Sequence, residues 1–368
     1  MSQPLPTSPG EVSLADVLPS VASALGVRGH TDVLDLGQPQ HVVCALIDGL
    51  GAQQLQRYAH LAPALASLSG PRAATMVPST TPVALGSFGT GTMPGTHGLV
   101  GASFWVPEFD DVLIPLHWSH DMPPMAVQPE PTMLERMAGA GILVSTIAPD
   151  AYRNSGLTRA VLRGGGYEAA EDVMQRIAGV LYATAQGAAS FSYVYWAELD
   201  RVGHEFGVGS SRWRQALIRV DSLIEGLMNA LPRDSALVVT ADHGMVNCET
   251  RIAVDAESRF TDGVRLLAGE PRARHVYVEA GQADQVARRW AEALGGQARV
   301  VHRDELIASA LMGEVLEEVA DRIGDLVVLA TGDVALTSSN DVRVSALLGQ
   351  HGAITMDEWE IPCLVARV

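Results

Sequence analysis

The chain has 368 residues, 47% of them hydrophobic and 18% charged, and a formal net charge of −17. That length exceeds one small core and suits a large α/β domain carrying an insertion. The acidic excess, set against arginines alone because the sequence contains no lysine, excludes a basic stripe that would track a nucleic-acid backbone.

The first 25 residues read as a tail and a lead-in helix. The stretch Met1 to Pro9 is uncharged, and Glu11 and Asp16 follow it directly. It has neither the basic nor the apolar region of a secretory signal. No run reaches the length needed to cross a bilayer. A cytoplasmic, soluble protein with no membrane partner is expected.

HVVCALID (41–48) then reads as a fully buried strand ending at Asp48. Next comes VPSTTPVALGSFGTGTMPGTHGLVG (77–101), where Thr81-Pro82 suits a strand-to-helix junction, because proline is tolerated at the start of a helix. Residues 102–130 hold many prolines and aromatics with little periodicity, as loops that cover sites do. PTMLERMAGAG (131–141) predicts a helix opened by Pro131-Thr132 and stopped by glycine. GILVSTIAP (141–149) and FSYVYWAELD (191–200) read as further strands, and a helix is expected over about 211–231. SALVVTADHG (235–244) is a fourth strand and DLVVLAT (325–331) a fifth. Continuous apolar strands are buried on both faces, which predicts a doubly wound α/β sandwich with a mostly parallel sheet flanked by helices.

Residues 251–312 depart from this pattern. RHVYVEA, QVARRWAEALGG and ARVV form a strand-helix-strand unit, read as a small inserted α+β module. The core would then comprise 26–250 and 313–368. Cys44, Cys248 and Cys363 form no CxxC pair and sit in apolar runs, so buried reduced thiols are expected.

In open α/β sheets, ligands bind beyond the carboxyl ends of the strands, where Asp48, Asp200 and Asp242 all fall. Each motif is weak alone. Asp48-Gly49 suits a turn, and Asp200 with His204 could be a helix cap and a surface imidazole. If helical, their spacing of four places both on one face. Asp242-His243 directly after a buried strand is hard to explain by packing. His351 between glycines suits a surface turn. Ser79, Thr80 or Thr81 could cap the following helix, or a hydroxyl there could meet a phosphate at the helix N-terminus.

Together these residues supply three carboxylates, three imidazoles and one alcohol. An alcohol is inert at neutral pH until a cation activates it, and two cations can steady both oxygens of a displacement at phosphorus. Mixed Asp and His ligation favours zinc, with manganese second.

In this order the motifs resemble those of the alkaline phosphatase superfamily and, within it, its type I phosphodiesterase and nucleotide pyrophosphatase branch. That branch reads DG, PTxTFPNH…TGxxPxxHG, DxxGH, DHGM and a late HG. The matching residues here are Asp48-Gly49, PSTTPVAL…TGTMPGTHG, Asp200 to His204, Asp242 to Met245 and His351-Gly352. The gapless match from Pro78 to Gly98 places Thr81 at the nucleophile position.

The resemblance implies an alkaline-phosphatase-like fold and two divalent metals, one held by Asp200, His204 and His351. The other would be held by Asp48, Asp242 and His243, with Thr81 facing it. It implies hydrolysis of phosphodiester or pyrophosphate bonds through a phospho-threonine. The family's Asn-His pair is Ala84-Leu85 here, so the phosphate needs another grip: backbone N–H groups near Thr81, or Arg153 with its neighbour Asn154. His97 reads as a structural turn residue. The partner expected is a small phosphorylated substrate, with a homodimer left open. Alternatives on the scaffold are a phosphomonoesterase, a phosphonate hydrolase, or a silent metal-binding relative; the CxPxR setting of sulfatases is absent.

Overall fold

A computed structural model describes the chain except residues 1–4, 7, 9, 119, 120 and 188. Most of the Met1–Pro9 stretch therefore lies outside the described residues; the lead-in helix is α1, Val17–Ala24. The main sheet has six strands: β1 (His41–Ile47), β2 (Leu143–Ala148), β3 (Gly166–Ala169), β4 (Ser190–Trp196), β5 (Ser235–Thr240) and β6 (Cys363–Arg367). Their order is β6-β5-β1-β4-β2-β3. All pairings are parallel except β6 against β5. Every residue of central β1 is buried, and Val42 pairs with both Phe191 and Ala236. Main-sheet runs with both faces covered therefore read as continuous apolar segments.

The helices over this sheet carry the expected signals. The helix α2 spans Thr81–Thr90, and α3 spans Met133–Gly139. The helix α3 opens with a capping box: Glu135 N–H donates to Thr132 Oγ1 at 3.0 Å, and Thr132 N–H to Glu135 Oε2 at 2.9 Å. Then come α4 (Val173–Thr184), α5 (Glu198–Phe206) and α6 (Ser211–Ala230). The buried side of α6 runs Trp213, Leu217, Val220, Ile224, Leu227, the spacing of one helical face.

Two boundaries differ from the sequence reading. The strand expected over 191–200 stops at Trp196, and Asp200 sits in the first turn of α5. The fifth strand, Leu326–Ala330, does not join the main sheet. It lies in an antiparallel four-stranded sheet with Val264–Glu270, Ala273–Val278 and Ala298–His302. The helix α7 (Ala283–Leu294) packs on that sheet through Val286, Trp290 and Leu294. A parallel pair, Thr250–Ala253 with Val334–Thr337, closes the unit, so the module reaches past 312 to Thr337. The misreading has a physical cause. Leu326, Val328 and Ala330 face the module's own core, while Val327 and Leu329 face the large core. A strand sandwiched between two cores reads as continuously apolar whichever sheet it joins.

Within 102–130, Phe104–Val106 pairs with Asp111–Leu113 as a short hairpin. All three cysteines are buried and free. Among the described residues, no helix is long and apolar enough to cross a membrane.

Candidate active site

The strands β4, β1 and β5 lie side by side, so the segments leaving their carboxyl ends converge. Asp48 follows β1, Asp242 and His243 follow β5, and α5 brings Asp200 in its first turn, with His204 one turn on. The four-residue spacing puts His204 Nε2 3.3 Å from Asp200 Oδ2. Gly49 makes the convergence possible. Its φ is +75°, and a Cβ there would sit 2.9 Å from Asp200 Cβ. His351 arrives from the far end of the chain, after the strand pair Val246–Asn247 with Gly349–Gln350.

The six side chains form two groups, Asp200/His204/His351 and Asp48/Asp242/His243, each with its ligand atoms within 4.8 Å of one another. The groups touch: the rings of His243 and His351 stack with centroids 3.6 Å apart. Each imidazole gives its Nδ1–H to a backbone carbonyl. His204 donates to Gly349 at 2.7 Å, His243 to Gly244 at 3.0 Å and His351 to Ser79 at 3.0 Å. All three Nε2 lone pairs therefore point inward, the tautomer that metal-binding histidines are held in.

These lone pairs face carboxylates and one another. His243 Nε2 is 3.6 Å from Asp48 Oδ1 and 3.5 Å from Asp242 Oδ2, and the Nε2 atoms of His204 and His351 are 3.3 Å apart. Two acceptors cannot bond each other. Among the described residues, Asp48 Oδ1, Asp200 Oδ1 and Asp242 Oδ2 are buried without a hydrogen-bond partner. Burial, then the charges of Asp242 and Asp200, push Asp48 well above the ordinary carboxylate range. Asp200 is also raised, by burial, although His204 and His243 hold it back. Burial, His243 and His204 push His351 well below the usual imidazole value. Orphaned carboxylate oxygens and inward-facing imidazole nitrogens are what divalent cations satisfy, so the donor set fits two such ions.

Thr81 is the first residue of α2, and its Oγ1 lies 3.1 Å from His243 Nε2. None of the three hydroxyls that could cap this helix does so. Thr80 is the N-cap residue but donates instead to Glu270 Oε2 at 3.3 Å. Ser79 Oγ donates to the Ala353 carbonyl at 2.6 Å and accepts Gly352 N–H at 3.1 Å. The start of α2 is therefore left without a side-chain cap. Ala84, one turn along, is fully buried and offers no polar atom.

Arg153 is engaged away from the two ligand groups. Its guanidinium donates to Asp150 at 2.8 Å and to the Tyr167 carbonyl at 2.7 Å, and lies over the Tyr167 ring. Asn154 is exposed, and the cavity wall here is formed by its neighbours Tyr152 and Ser155. His97 is structural: it accepts Leu99 N–H and donates to Ser87 Oγ.

Four residues were not foreseen. Tyr195 donates to Asp48 Oδ2; its alternation in YVYW marked it only as one face of a strand. Glu270, reaching in from the module, is a buried carboxyl that burial raises well above its ordinary value. Arg272 and Glu358 form a fully buried pair at 2.7 Å, and Glu358 also accepts Ala353 N–H at 3.1 Å, fixing the turn after His351. No local pattern signals a contact between residues 86 apart. The site opens into a cavity of about 1240 Å³ whose wall includes Thr81, Asp48, Asp200 and His351.

No curated protein matches the chain by sequence. The model of the family described as type I phosphodiesterase / nucleotide pyrophosphatase matches residues 42–354. Murine ectonucleotide pyrophosphatase / phosphodiesterase 5 is similar in fold, with TM-score 0.69 at 18% identity over 89% of this chain and 88% of that one. An inactive threonine-to-alanine variant of it, in complex with AMP, gives 0.66 at 19% identity over 89% and 87%. Phosphonoacetate hydrolase from Sinorhizobium meliloti 1021, in complex with phosphonoformate, gives 0.69 at 20% identity over 90% and 91%.

Proposed function

We propose, from the premise that this chain belongs to the type I phosphodiesterase / nucleotide pyrophosphatase family of the alkaline phosphatase superfamily, that Thr81 is its nucleophile. As a member of that family the chain is a hydrolase of phosphoric esters. The reaction proposed is hydrolysis of phosphodiester or pyrophosphate bonds in a small substrate, through a phospho-threonine at Thr81. The observation that carries this reading is the placement of Thr81 Oγ1 3.1 Å from His243 Nε2, against two three-residue ligand groups. The inactivity of the murine protein's threonine-to-alanine variant supports it.

Asp200, His204 and His351 would hold one divalent cation, and Asp48, Asp242 and His243 the other; mixed nitrogen and oxygen donors favour zinc, then manganese. Bound there, the cations supply Lewis acidity to the attacking and leaving oxygens and charge compensation for the buried carboxylates. The protein's own part is orientation. The α2 terminus would present Thr81 Oγ to phosphorus, and its uncapped start would face the phosphoryl oxygens in place of an amide at Ala84. Tyr195 holds Asp48, and the three backbone carbonyls hold the imidazoles in register. Attack by Thr81 Oγ expels one ester oxygen; water then cleaves the phospho-threonine and returns the hydroxyl.

The test is hydrolysis of a chromogenic phosphodiester, a phosphomonoester and a phosphonate by zinc- or manganese-loaded protein. The diester is expected to be the best substrate, and Thr81→Ala to lose at least about 10³-fold in kcat/KM. Full turnover by Thr81→Ala would falsify the nucleophile assignment. Preferred turnover of the phosphonate would favour the activity named for the S. meliloti neighbour.

A further inference from the structure

We propose, resting on the phosphodiesterase reading above, that the substrate carries one long apolar substituent, an alkyl or acyl chain, rather than a polyphosphate. The cavity of about 1240 Å³ that contains Thr81 is larger than the common range for small-molecule sites, about 300–1,000 Å³. Its inner wall beyond the two ligand groups is apolar, with Leu85, Leu157, Leu162 and Trp196 among its members.

The rim continues that character. Ile114, Leu116, Tyr152, Met174 and Val344 are all large apolar side chains left exposed, and all stand on this one cavity. They come from the covering segment, the turn after β2, the start of α4 and the short helix Val342–Ser345. Such a patch, continuous with a reaction centre, is an apolar binding surface and not scatter. Leu116 and Met174 are 58% and 71% exposed, so neither is needed by the core.

The charges on the wall point the same way. Among the described lining residues, two of the three arginines are committed. Arg176 donates to the Tyr195 and Asp172 carbonyls and lies over the Trp196 ring. Arg219 forks onto Glu198 at 2.8 and 2.9 Å, and Arg201 lies 3.9 Å from the same carboxylate. Arg201, 66% exposed, is thus the one loosely held arginine among these lining residues, while Glu171, Asp172, Glu270 and Asp341 line the same space. A polyanionic tail would meet those carboxylates with a single loosely held fork to receive it. A monoanionic diester with a hydrocarbon chain meets neither cost.

The experiment is a series of p-nitrophenyl alkyl phosphodiesters, methyl, butyl and octyl, below their micellar concentrations, with the zinc-loaded protein. A p-nitrophenyl nucleoside 5′-phosphate and a nucleoside triphosphate serve as comparators. Burying one methylene is worth about fourfold, so burial of only two of the seven added from methyl to octyl should raise kcat/KM at least about tenfold. The two nucleotides should rank below the octyl ester. Leu116→Asp and Met174→Glu should each cut the octyl-to-methyl ratio by about fivefold or more. A flat series, or a preferred nucleotide, with the methyl diester still cleaved, overturns this inference and leaves the phosphodiesterase reading standing. Cleavage of none of the diesters removes both.

Discussion

His243 and His275 are both fully buried imidazoles, yet they stand in opposite situations. His275, in the module, accepts Gly324 N–H at Nδ1 and donates from Nε2 to the Val100 carbonyl, each at 3.0 Å. Nothing on its ring is left over. His243, at the end of β5, spends Nδ1 on Gly244 and turns Nε2 toward Thr81 and two carboxylate oxygens that lack partners. The same contrast runs through the two regions. The module gives every guanidinium nitrogen of buried Arg272 and Arg274 an acceptor, while the sheet's carboxyl end leaves one oxygen each of Asp48, Asp200 and Asp242 without a donor among the described residues. Buried polar groups that are satisfied hold a fold together; those left unsatisfied mark where a ligand completes the structure.

The strongest attempt to break this contrast is Asp242→Asn. It should lower bound zinc from two ions per chain to one, measured by equilibrium dialysis with elemental analysis, and reduce kcat/KM by at least about 10³-fold. Two ions still bound with unchanged affinity by the folded variant would remove Asp242 from the ligand set. Arg272→Met is the opposite case. It strands Glu358 in a dry site and should cost about 3–5 kcal/mol of stability, read as a lowered denaturation midpoint. The folded fraction should still bind two ions.

Tyr195→Phe sharpens the boundary between the two classes, because it removes a donor to Asp48 without touching a ligand atom. Metal affinity should fall by about 10–100-fold, with the fold intact by circular dichroism.

The remaining effect is on pH. Burial lowers His275 to about 4 and His97 to about 3 from the ordinary value of 6.5. The folded state therefore binds fewer protons than the unfolded chain below 6.5. The stability these two contribute is complete above 6.5 and is lost as pH falls toward 4 and 3. The slope approaches about 1.4 kcal/mol per pH unit for each group. Because neither touches the metal groups, their share should persist with chelator present. His275→Gln should flatten the acid limb of a denaturation profile taken in chelator; an unchanged limb would show that this imidazole is not held neutral.

Much of the molecule could be read from residues alone because its signals are local. The apolar runs of β1, β2 and β5, the capping box of α3 and the stripe of α6 are written within a few residues. So is the pairing of Asp200 with His204, which needs only one helical turn. What escaped reading depends on distant partners. The edge strands β3 and β6 are short and partly exposed, with burial patterns no loop would contradict. Leu326–Ala330 was placed in the wrong sheet because two cores cover its two faces. Arg153 could be suspected only by type, and its acceptors, Asp150 and Tyr167, became visible only once the chain was folded. Tyr195, Glu270 and the Arg272–Glu358 pair enter the site from elements whose sequences advertise nothing but packing.

The most direct test is to mix zinc-loaded protein with a phosphodiester, quench with acid within one turnover and map phosphorylation by peptide mass spectrometry. The phosphoryl group should appear on Thr81 and be absent from Thr81→Ala. Rapid product release with no modified residue, at equal rates in both proteins, would contradict the account.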